Sequence, residues 1–251
     1  VNQKTLRVWH FFRNDGRTGV GLLRVKVGET MHVKGEIIPC RNGLHGSVRA
    51  IDAMRYAPGA MVQIADLSGT IIPHGNPVDK HAASARTCIA IANAEPTLRY
   101  FARWCALSVT DKWDPPQVVI DFLMTGNPEL RAAASAAAWT AAWAADAAWA
   151  ADAARAAAWA TAAFAAVHAA AFAAALAAAL DAARAADAAW AADAARAAAW
   201  ATDAASAAAS AAASAAAWTA ARAADAARAA AWAAQNEKLE QLLNEAIEAQ
   251  R

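Results

Sequence analysis

In the stretch "PCRNGLH", Cys40 and His45 are residue types that could bind zinc or form a thiol–imidazole pair. A structural zinc site takes four such ligands, so His10, His74 or His81 would have to supply two more. Zinc ligands usually come in short paired spacings, and Cys40, Cys88 and Cys105 show no C-x-x-C. No metal is expected. A Cys40 nucleophile with His45 as its base would need a third group to orient the imidazole, and none is apparent. The expected structure here is a tight turn at Asn42-Gly43 with Cys40 half-buried. Asp79 and Lys80 in "PVDKH" are the ligand-binding candidates, as a charged loop at a pocket mouth; the plainer alternative is a solvated turn. His10 and His45 are the candidates for catalysis if the chain has any, and no cofactor is implied. His168, among alanine, valine and phenylalanine, reads as a hydrogen-bonded core histidine.

Charge and composition narrow the classes further. Lys and Arg total 23 against 22 Asp and Glu, which removes the electrostatic argument for nucleic acid or an anionic membrane. Three cysteines without a pairing pattern suit a reducing cytoplasm, and "VNQKTLRVWHFF" lacks the grammar of a secretory leader. The stretch 156–180 carries no formal charge and is long enough to span a bilayer. Alanine is only weakly apolar, however, and Thr161 and His168 lie inside the stretch. A helix buried in protein is expected there, not a transmembrane span.

Two grammars divide the chain. Residues 1–95 alternate β-rich runs with turn signals. The runs are "TLRVWHFF", "GLLRVKVG", "TMHVKGEII", "AMVQIADLSGTII" and "ARTCIAIA", and "SVRAIDAMRYA" reads as a helix on their sheet. This predicts a small α+β domain. Residues 96–127 read as amphipathic connecting helices. Leu98, Phe101, Ala102 and Cys105 share a face of the first, and the second has Asp114 as its N-cap and Gly126 as its stop. In "GNPEL", Asn127 caps and Pro128 starts the next helix.

Residues 128–234 are dominated by alanine, the best helix former because it loses no side-chain entropy. An all-α, alanine-rich domain is expected, built as packed long helices or a helical repeat array. Acid and base stand three apart, as in Asp152 and Arg155, Asp193 and Arg196, and Asp225 and Arg228. "WAADAAWAADAARAAAW" at 143–159 returns as "RAADAAWAADAARAAAW" at 184–200. Eight of the eleven tryptophans fall in this half, including Trp149, Trp159, Trp190, Trp200, Trp218 and Trp232. Left in water, their rings would forgo roughly 25 cal/mol per Å² of burial. The pattern reads as a packing code. Alanine lets backbones approach closely, tryptophan fills the larger gaps, and aspartate and arginine supply solubility and register. Residues 235–251 form an amphipathic C-terminal helix whose face of Leu239, Leu242 and Leu243 is expected to cap the array or join two chains.

The first half resembles a domain of unknown function found in phage and prophage proteins. The carrying residues are "VWHFF", "VKVGETMHVKGEIIPCRNGLHGSVRAIDAMRYAPG" and "VDKHAASARTCIA", and the alanine-rich tail looks like that of some family members. The resemblance implies phage origin and no activity; a phage accessory protein in the host cytoplasm is expected. The expected function is non-catalytic binding or assembly, with a homo-oligomer or a host protein as partner. An extended rod or filament is the structural alternative. "GLHGSVRAIDAMRYA" followed by "ADLSG" is also similar to the central motif of ADP-ribosyltransferases. That likeness would put His10 and His45 in a nicotinamide pocket and make the head a host-modifying transferase. The glutamate expected on a third strand is not evident.

Overall fold

The computed structural model describes residues 5–19, 21–144 and 206–251. These residues fall into two compact units. One holds the chain through Trp104 together with Gln235–Arg251; the other holds 105–144 and 206–234.

The first unit is α+β, built on an antiparallel sheet. Strands β1 (Leu6–Phe12), β4 (Met61–His74), β5 (Lys80–Asn93) and β2 (Thr30–His32) lie in that order, and β3 (Leu44–Gly46) also pairs with β5. The long β4–β5 hairpin supplies the centre. Its small, apolar positions, among them Ala65, Ala82, Ala83 and Ala92, are fully or almost fully buried. β2 and β3 take successive stretches of the same β5 edge, with Thr30 opposite Thr87 and Leu44 opposite Ala83. Just past β3, Ser47 and Trp9 exchange two backbone hydrogen bonds of 3.0 and 2.8 Å. The far edge thus returns to β1, and the sheet curls around a hollow.

Two expected strands fare differently from the rest. "GLLRVKVG" is not a strand but a chain of turns, with only Arg24 bridged to Arg17. Gly21, Leu22 and Gly28 all adopt positive φ, which breaks an extended run. Of "TMHVKGEII" only Thr30–His32 forms a strand, with Ile38 in an isolated bridge to Asn42, and Gly35 turns the chain at φ 86°. β3 was not among the expected strands, since three residues give no periodicity to read.

Helix α1 (Ala50–Met54) is shorter than its sequence suggested and has no side-chain cap of its own. Ser47, the natural capping residue type nearby, is engaged with β1. The caps come from the other end of the chain. Asn236 Oδ1 accepts from Ile51 N–H at 3.1 Å, and Glu240 Oε1 accepts from Ala50 N–H at 3.0 Å. Gln250 adds a two-way amide contact with the Asn93 backbone, at 2.9 and 3.1 Å. Leu239, Leu243 and Ile247 are buried and Leu242 is half-buried. The C-terminal segment is therefore fastened to the head by its polar residues.

Helix α2 (Glu95–Leu107) buries Leu98, Phe101, Ala102 and Cys105 completely, the face its spacing predicts. Helix α3 (Gln117–Thr125) starts after Pro116 and not at an Asp114 cap; Gly126, at φ 68°, ends it by donating to Phe122 O. Asn127 Oδ1 does accept from Glu129 N–H, but residues 128–130 form a turn and helix α4 begins at Arg131, running to Ala144. In the second unit Ala134 and Ala138, one turn apart, are fully buried in a cluster with Ala106, Val119, Phe122 and Leu123. Helix α5 runs from Ser206 to Ala249. On it Asp225 and Arg228 are exposed and form no ion pair. Trp232 is half-buried, whereas Trp149, Trp159, Trp190, Trp200, His168 and the stretch 156–180 lie outside the described residues. No described helix is long and apolar enough to cross a membrane.

Candidate functional site

The hollow of the curled sheet is a cavity of about 610 Å³, within the range of small-molecule pockets. β1 contributes Trp9, His10 and Phe11, and the loop and strand around β3 contribute Cys40 through Ser47. α1 and its exit contribute Ala53, Tyr56 and Pro58, and β5 contributes Lys80 and Arg86. The space exists because glycine lets segments come close around it. At Gly46 a methyl group would collide with Val8, and at Gly43 it would press to 3.1 Å from the Ala82 Cβ, at a backbone φ of 157°.

His10 faces the cavity from β1. Gln63 Nε2 lies 2.9 Å from its Nδ1; with the amide donating, the ring is neutral with its proton on Nε2. Burial pushes the His10 pKa well below its ordinary 6.5, and the charges of Arg86 and His45 push the same way. His45 Nε2 accepts from the Cys40 backbone N–H at 3.1 Å, which places its proton on Nδ1. Its pKa is also lowered, first by burial and then by Lys80, Arg86 and His74. Two neutral imidazoles therefore line the site at neutral pH.

Arg86 is the charge at the centre of this arrangement. It is 2% exposed, and its guanidinium donates to His45 O at 2.7 Å and points a second nitrogen at Met31 Sδ at 3.9 Å. No carboxylate among the described residues pairs with it. Burial pulls its pKa down to about 10, still leaving it charged at neutral pH. Lys80 sits at the rim, its Nζ 3.9 Å from the centre of the Tyr56 ring. Tyr56 donates its hydroxyl to Asp79 Oδ2 at 2.6 Å, where Arg55 also approaches at 3.4 Å. Burial and this hydrogen bond push the Tyr56 phenol up to about 12. Among the described residues no aspartate or glutamate lines the cavity. The site thus combines apolar walls, neutral hydrogen-bonding rings and unpaired positive charge.

The structure brings His10, His45 and Lys80 together around one space. Asp79 stands behind Tyr56 and not on the wall. Cys40 is exposed at the edge, and the turn is centred on Pro39-Cys40 and not on Asn42-Gly43, with Cys40 itself at φ 67°. Arg41 N–H and Asn42 N–H both donate to Ile38 O, and the Asn42 side chain donates to Lys34 O and Glu36 O, which closes that turn. The Cys40 thiol lies 3.6 Å from His74 Nε2, so the imidazole beside the sulfur is not His45. Among the described residues no three His, Cys, Asp or Glu side chains are placed to hold a metal. Arg86 was the missed residue. Its signal was present as a lone base in "AASARTCIAIA", a strand otherwise made of small and apolar residues, where a charge must be buried or break the pattern.

No family model, curated protein or solved structure is matched by this chain.

Proposed function

We propose that this is a phage accessory protein whose head is a small-molecule-binding module and whose alanine-rich half is a packing and assembly element. The observation that carries the reading is the preformed cavity. It is lined by several segments of the head, mostly apolar, and supplied with a few convergent polar groups, as ligand sites are. The buried Ala134 and Ala138 support the assembly half of the reading, since they illustrate the close approach that bare alanine faces permit. The proposed partner of that half is a second copy of the chain or a host protein.

Native mass spectrometry of the intact chain against a panel of nucleotides, sugar phosphates and organic acids tests the head. At least one class should bind at a single site per chain. A panel in which nothing binds would remove the reading. Light scattering tests the assembly half, which expects a mass above that of one chain.

A second reading has one observation in its favour. His10, His45, Ser47 and Tyr56 all line the cavity, as the likeness to ADP-ribosyltransferases requires. Among the described residues no carboxylate lines the cavity, and transfer chemistry needs one to steady the developing ribosyl cation. Incubation with a nicotinamide dinucleotide separates the two readings: release of free nicotinamide, lost in His10→Ala, favours the transferase.

A further inference from the structure

We propose that the cavity ligand is an organic anion, its phosphate or carboxylate seated against Arg86 and Lys80 and its apolar body against the walls; this rests on the reading of the head as a binding module. Arg86 and Lys80 carry charge that no described acid compensates. An arginine that is almost fully buried normally keeps a carboxylate beside it, because removing a cation from water costs several kcal/mol unless it is paired. Arg86 has five N–H donors, of which one reaches a carbonyl and one a sulfur. It borders open space, and Lys80 stands at the rim of that space with its ammonium over the Tyr56 face and no described acid within ion-pair distance.

The neighbours fit the same purpose. His10 and His45 are held neutral, so they add hydrogen-bonding capacity without a competing anion or a further cation. The acids of the region are engaged elsewhere: Asp79 with Tyr56 and Arg55, Asp52 with Arg49. Guanidinium presents paired donors that match the oxygens of a carboxylate or phosphate, and low surrounding polarity strengthens such bonds. Trp9, Phe11, Leu23, Val33 and Leu44 offer apolar surface to the remainder of the molecule.

The test uses three probes with one carbon skeleton: 1-naphthyl phosphate, 1-naphthoate and uncharged 1-naphthol. Each is titrated into the full chain by calorimetry and mapped by amide NMR. The phosphate or the carboxylate should bind at least about tenfold more tightly than the naphthol and shift the amides of His45, Gly46 and Arg86. The phosphate and carboxylate arms distinguish the two anions. Arg86→Met should erase the anion's advantage; Lys80→Met, at the rim, should reduce it and guards against a folding defect in the first variant. At a hundredfold excess over Kd the bound anion should raise Tm by about 5 °C in wild type and not in Arg86→Met. If the naphthol binds in the cavity as tightly as the anions, the pocket reading stands and the anion assignment is wrong. If none of the three perturbs the cavity amides, the assignment and the pocket reading fail together.

Discussion

At the scale of single residues, the head is set by how it holds its titratable groups. His10, His45 and His81 all have pKa values lowered from 6.5, with burial as the first cause in each. The folded state resists protonation that the unfolded chain accepts. Their contribution is therefore complete above pH 6.5 and is lost as pH falls below 6.5 toward the depressed values. Thermal melts should show a falling Tm between pH 7 and pH 5. His10→Asn, which removes the ionisable ring at the most deeply set position, should flatten that fall. An equal slope in wild type and variant would show that His10 does not hold its neutral form. Sequence reasoning identified the histidines as the residues to watch, but not their state. Protonation depends on what stands around a ring, and Gln63 and Arg86 come from strands far away in the chain.

At the scale of elements, local grammar was legible where a periodic face was long enough to speak. α2 buries the four residues that its spacing placed together, and the β4–β5 hairpin follows two long runs. Legibility ended where a backbone need was met from a distance. Helix α1 depends on Asn236 and Glu240, and nothing near Ala50 in sequence announces this. Asn236→Ala and Glu240→Ala should each cost about 0.5–2 kcal/mol in urea unfolding, as lost helix caps do. Leu239→Ala and Leu243→Ala should cost about 2–5 kcal/mol each, as buried leucines do. Unchanged unfolding midpoints in both pairs would mean that the C-terminal segment does not fasten to the head. The alanine code makes a separate forecast. Ala138→Leu adds volume where none is free and should destabilise by about 1–3 kcal/mol, although leucine is nearly as good a helix former. A neutral or stabilising result would show that the alanine face is merely solvent-facing filler.

At the scale of the whole molecule, two sequence grammars correspond to two kinds of construction. The head uses glycine and strand pairing to enclose a space, and the described part of the second unit uses alanine to bring helices together. The tryptophan pattern of the sequence would extend the second idea to positions outside the described residues. If those indoles are core, Trp190→Ala and Trp200→Ala should each cost about 3–5 kcal/mol, and iodide should quench native fluorescence poorly. Free quenching with wild-type melting would turn the pattern into an exposed ladder. The cavity was the least legible feature of all. It arises where Ser47 returns to Trp9, a closure that belongs to the sheet as a whole and to no single run of residues.

The central claim, that the head is a ligand-binding module organised around this cavity, is tested most directly by a fragment screen on the intact, isotope-labelled chain with amide NMR as the readout. The account predicts that hits converge on Gly43, His45, Gly46, Ser47 and Arg86, with anionic aromatic fragments over-represented among them. Hits scattered over the surface, or a head whose cavity amides respond to no fragment, would contradict it.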